Sequence, residues 1–99
     1  MNSVVRHPTF DKHGYPTEET LQTIRTWPHD DLPALWEYVR EAWSEYGRIW
    51  EEDGLTNMAT GGWSGNESVA AALQEQRIFW SLYWESSHRG GLDCFRMPN

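Results

Sequence analysis

Gly47-Arg48-Ile49-Trp50-Glu51-Glu52-Asp53-Gly54-Leu55-Thr56-Asn57-Met58-Ala59-Thr60, residues 47–60, decides whether this chain is all helical or mixes helix with sheet. Asp53-Gly54 is a dipeptide favoured by two-residue type I′ turns, because both central positions take positive φ and both residues tolerate it. A hairpin follows, with strands Ile49–Glu52 and Leu55–Thr60, and Gly47 caps the carboxy terminus of the helix before it. The alternative keeps the segment helical. Trp36, Trp43 and Trp50 are seven apart and can share one stripe if the helix runs on through Gly47. The hairpin is preferred.

Upstream, Asp31 and Pro33 mark the start of this second helix, proline being harmless where the amide has no intrahelical partner. Leu35, Trp36, Val39, Trp43 and Tyr46 recur at the three- and four-residue spacing of a core-facing stripe. A first helix begins at Thr17, a capping hydroxyl followed by Glu18 and Glu19 at the positive end of the helix dipole. Leu21, Ile24 and Trp27 form its apolar side, and Pro28 ends it. Residues 1–16 read as an irregular arm. Downstream, Ser64-Gly65-Asn66-Glu67 matches a capping box. A third helix then carries Val69, Leu73, Gln76, Trp80 and Tyr83 or Trp84 to an end near His88-Arg89, before Gly90-Gly91. Leu92 to Met97 supplies a last strand. The expected architecture is a single α+β domain over residues 1–99, three helices packed on a small three-stranded antiparallel sheet, in the order α-α-β-β-α-β.

The net charge is −7, and it is unevenly spread. Residues 1–53 hold eleven of the fifteen acidic groups against five basic ones, and residues 54–99 hold four against three. A surface of that sign repels nucleic acid phosphates and suits a basic protein partner. Val4-Val5 before Arg6-His7 falls far short of a secretory apolar region, and no run approaches the roughly 20 apolar residues of a membrane span. A cytoplasmic location is expected. The single Cys94 cannot form an internal disulfide, and four scattered histidines lack the paired spacing of a zinc site. No metal, cofactor or membrane partner is expected.

Four groups of residues could carry chemistry. Gly61-Gly62-Trp63-Ser64-Gly65 leads into a helix amino terminus, which can hold an anion or be a plain tight turn. Glu37, Glu41 and Glu45 stand about 6 Å apart per step on a helix, similar to the phosphate spacing of a nucleic acid strand. Asp30, Asp31, Glu51, Glu52 and Asp53 extend that patch, Arg40 and Arg48 dilute it, and an ordinary solvated helix face looks the same. Cys94, His88, Glu67, Asp93 and Arg89 contain the residue types of a nucleophilic site, but no triad order or carboxylate pair emerges, and Cys94 suits the interior of a strand. Phe79, Trp80, Tyr83 and Trp84 cover more than one side of their helix, as core or as interface anchors.

Thr60-Gly61-Gly62-Trp63-Ser64-Gly65-Asn66-Glu67, Phe79-Trp80, Trp84, Ser86-Ser87-His88-Arg89-Gly90-Gly91 and Phe95 together resemble a family of small phage and prophage proteins of unassigned function. The resemblance covers roughly the last 40 residues well and Tyr15 to Tyr46 loosely. It implies a mobile-element origin, where short acidic accessory proteins such as anti-CRISPR proteins bind and block a host protein. The expected function is non-catalytic inhibition of a host protein with a basic surface, nucleic-acid-binding effectors included. The expected contact residues are Glu37, Glu41, Glu45, Glu51, Glu52, Asp53, Trp63, Trp84 and Arg89. Two other classes stay open: a toxin-neutralising immunity protein, and a small enzyme or ligand-binding module using the Trp63 loop and Arg89. A pocket joining Ser64, Asn66, Arg89 and Cys94 would favour the last.

Overall fold

The computed structural model describes residues 6–98. The hairpin is present, so the α+β class holds, but the described residues form four helices and four strands rather than three of each. Helices α1 (Glu18–Arg25) and α2 (Leu32–Ala42) precede strands β1 (Arg48–Glu52) and β2 (Leu55–Ala59). Helices α3 (Ser64–Glu75) and α4 (Arg77–Tyr83) follow, then β3 (Trp84–His88) and β4 (Leu92–Phe95). The sheet is antiparallel in the order β1-β2-β4-β3, so β4 lies between β2 and β3, and β1 and β3 are the edges of the sheet.

Register sets the faces. Ile49, Thr56, Met58 and Phe95 lie on one side of the sheet, where Met58 and Phe95 meet Ile24, Leu35, Val39, Val69, Leu73 and Phe79 in the core. Trp50, Asn57, Cys94 and Ser86 form a cross-strand row on the other side. The α1 start is as expected, with the Thr17 side chain accepting from the Thr20 amide. The β1–β2 turn is also as expected, with φ of 57° at Asp53 and 76° at Gly54.

The structure departs from the sequence expectation in three places. First, α2 stops at Ala42, and Trp43 turns extended with ψ 130°. Gly47 is therefore no cap. It is needed because a side chain there would strike the Ala59 carbonyl, Asn66 and Trp43. Tyr46, assigned to the core stripe, is 68% exposed, because it lies beyond the helix. Tyr38 and Ala42 are buried instead.

Second, the expected third helix breaks at Gln76. Its buried amide donates through Nε2 to the Trp27 carbonyl at 2.7 Å and accepts through Oε1 from the Phe79 amide at 3.0 Å. It thus stops α3 and caps α4. The segment 84–88, expected to finish the helix, is edge strand β3. Past Trp84 the residues Glu85-Ser86-Ser87-His88 offer no apolar stripe, and Gly90 and Gly91, with φ of 87° and 79°, close a hairpin onto β4.

Third, Ser64 caps nothing. It is the exposed first residue of α3, and the preceding Trp63 makes no side-chain cap bond. The polar tie is two residues further on, at fully buried Asn66. Its Oδ1 accepts from the Ser44 amide at 2.9 Å, and its Nδ2 donates to the Thr60 carbonyl at 3.2 Å and the Ser44 carbonyl at 3.4 Å. One side chain joins the α2–β1 turn to the β2–α3 loop. Asn66→Ala strands these buried backbone groups and is expected to cost about 2–3 kcal/mol in urea denaturation, whereas Ser64→Ala should stay within about 0.5 kcal/mol. Equal costs would restore Ser64 as the cap.

Candidate functional site: an acidic and aromatic groove

Trp36 and Glu37 are consecutive on α2, so they face different ways. The Trp36 ring packs inward on Phe79 at 6.0 Å and Phe95 at 5.9 Å. Phe79 also meets Tyr83 edge-on at 5.0 Å, and Phe95 meets Trp80 at 5.4 Å. These rings from α2, α4 and β4 form one cluster whose outer side is open between α2 and the β1–β2 hairpin.

The opening is a groove of about 560 Å³. Trp36, Glu37 and Arg40 are among the residues that line it from α2, Glu51 and Thr56 line it from the hairpin, and Tyr83 and Met97 contribute from α4 and the segment after β4. Glu51 is there because of register. It pairs with Thr56, on the helix-facing side of the sheet, next but one to buried-side Ile49. Glu52 points the opposite way and accepts from the Trp50 indole at 3.0 Å.

The expected contact residues do not form one surface. Glu37 and Glu51 both line the groove. The Glu41 carboxylate is hydrogen-bonded to His7 Nδ1 at 2.9 Å, tying the arm to α2. Glu45 lies beyond the end of α2, so the three-carboxylate ladder is broken at its last step and the phosphate-like spacing goes with it. Asp53 is in the hairpin turn, and Arg89 is exposed in the β3–β4 turn. Trp84, 43% exposed on the edge strand, stacks on Trp80 at 6.0 Å and donates its indole N–H to Ser87 Oγ.

Trp63 is a clamp. Tyr15 stacks on it at 4.9 Å and Tyr46 leans on it at 5.2 Å, so the ring holds the arm and the α2–β1 turn against the start of α3. The loop before it is a tight turn, with φ of 67° at Gly61 and 78° at Gly62. Within it Gly62 donates to Thr60 Oγ1 and Trp63 to the Thr60 carbonyl, and Glu67 makes the first backbone bond of α3 to the Trp63 carbonyl.

The nucleophile candidates are separated too. Cys94 Sγ donates to Asn57 Oδ1 at 3.1 Å, and His88 Nε2 is bonded to Ser86 Oγ at 3.0 Å. Asp93 accepts from Ser87 on the other face of the sheet. Asn66 is sealed in the interior by its own bonds while Ser64 and Arg89 are exposed, so these do not share a pocket with Cys94. Among the described residues no group of three His, Cys, Asp or Glu could hold a metal ion, and no helix is long and apolar enough to cross a membrane.

Sequence patterning alone missed the groove, because its apolar walls come from α2, α4 and the chain end. One signal was present: alternation through Ile49-Trp50-Glu51-Glu52 sends Glu51 to the side of Ile49. Comparison of the chain with protein-family models, curated proteins and solved structures gives no match, so the resemblance to phage proteins rests on the residues quoted for it.

Cys94, buried in the central strand and bonded to Asn57, should react with Ellman's reagent on the order of 100-fold more slowly in the native protein than in denaturant. Native reactivity near the denatured rate would mean an activated or open thiol and would revive the nucleophile.

Proposed function

We infer that this protein acts by binding, without turnover, and that its partner is a protein with a basic surface. The observation that carries this is the convergence of Glu37 and Glu51, from two distant elements, on an aromatic groove that is open to solvent. An aromatic wall supplies contact area from rings already fixed by the core, so little side-chain entropy is lost on binding. Exposed carboxylates, in a chain of net charge −7, steer a cationic partner and set its orientation. In the mobile-element setting that the resemblance implies, the partner is a host protein and the binding inhibits it.

Capture from a bacterial lysate, identified by mass spectrometry, should retain basic proteins. With a partner in hand, the Glu37→Gln/Glu51→Gln double variant should associate about tenfold more slowly at low salt and with a flatter salt dependence. Its folding stability should stay within about 0.5 kcal/mol of the parent. Glu41→Gln/Glu45→Gln, outside the groove, should change association far less. An unchanged rate and salt response in the groove variant would overturn the reading.

A further inference from the structure

Among the described residues the ion pairs engage Glu18, Glu41, Glu75 and Glu85, and neither groove carboxylate has a cationic partner. Beside Glu37 and Glu51 stands Trp36, one side of its indole held by Phe79 and Phe95 and the rest lining the groove. Elsewhere the chain uses tryptophan to receive guanidinium groups: Arg48 lies over Trp50 at 4.8 Å and Arg6 over Trp27 at 5.5 Å. Trp36 has the same kind of ring, without a cation of its own over it and with two free carboxylates alongside.

That combination discriminates between cations. A lysine ammonium is compact and strongly hydrated, and an aromatic wall replaces its water poorly. A guanidinium is planar, weakly hydrated, stacks on aromatic rings and presents a fork of N–H donors to carboxylates. We propose that the groove binds an arginine side chain of the partner protein, its guanidinium lying against Trp36 and donating to Glu37 and Glu51. The proposal rests on the binding reading above and names the residue that is recognised. A volume of about 560 Å³ takes the side chain with its flanking backbone. Arg40 on the same rim repels a second cation, so a single arginine with uncharged neighbours fits better than a polybasic run.

An inward charge on an edge strand also hinders edge-to-edge pairing of sheets, a role that needs no ligand. The two are separated by titrating the protein with acetyl-Gly-Arg-Gly-amide and its lysine and citrulline counterparts, following the Trp36 indole N–H by NMR. The arginine peptide should shift that resonance saturably, with a Kd on the order of 1 mM. The lysine peptide should bind at least about threefold more weakly, and citrulline, which keeps the shape without the charge, should cause no saturable shift. Glu37→Gln and Glu51→Gln should each weaken the arginine peptide by about fivefold, and Arg40→Gln should tighten it by about twofold. A citrulline response equal to that of arginine overturns the proposal, as does unchanged affinity in both glutamine variants. Self-association of Glu51→Gln with no arginine binding by the parent leaves Glu51 as an edge guard only. If salt-dependent capture of basic proteins survives while the arginine peptide fails, the arginine assignment falls alone; if both fail, the binding reading falls with it.

Discussion

Phe95 closes the central strand β4 and touches rings from both helical arms of the fold: Trp36 of α2 at 5.9 Å, and Phe79 and Trp80 of α4 at 5.8 and 5.4 Å. Because β4 is paired on both sides, this one side chain refers α2 and α4 to the same backbone. Edge-to-face and offset contacts at these separations add about 0.5–1.5 kcal/mol each beyond burial, and burial itself dominates for rings of this size. In a chain of 99 residues, which buries only about 65% of its unfolded surface, a few large rings must do what many aliphatic residues do in a larger domain. The tryptophan richness is mostly answered there, in core and clamp, with Trp84 the exposed member.

Two buried amides finish what the rings begin. Each satisfies backbone groups outside its own helix: Asn66 those of Ser44, 22 residues away, and of Thr60 in the preceding loop, and Gln76 that of Trp27, 49 residues away. Among the described residues no buried side-chain nitrogen or oxygen lacks a partner, so these interior amides carry little desolvation cost. Their value lies in specificity. Apolar packing tolerates small slides, whereas a hydrogen bond fails within about half an ångström, so the loops around Trp63 and Trp27 are fixed in place.

The groove depends on both layers. Ring packing fixes Trp36, strand register aims Glu51, and helix phase aims Glu37. The carboxylates remain in solvent, where each exposed pair is worth roughly 0–1 kcal/mol, so electrostatics here can select and orient more than it can hold. Arg25, by contrast, is engaged within the fold, bridging Glu18 and Glu75 so that α1 and α3 are linked, and those carboxylates raise its pKa further above neutrality.

The sequence by itself determined what depends on a few neighbouring residues. Thr17 capping α1, Pro33 opening α2 and the Asp53-Gly54 turn all follow from backbone sterics and local hydrogen bonding, as did the α+β class once the hairpin was preferred to a longer helix. The same local logic failed at Ser64, Gln76 and residues 84–88. A capping-box pattern, a helical period and a diglycine stop were each outweighed by partners 10 or more residues away or on another element. For the site, acidity near α2 and the hairpin was legible, but not which carboxylates would meet. Only tertiary structure separated Glu51 from Glu52, detached Glu45 from its ladder and brought Tyr83 and Met97 to Trp36, because a groove belongs to surfaces that no sequence window contains.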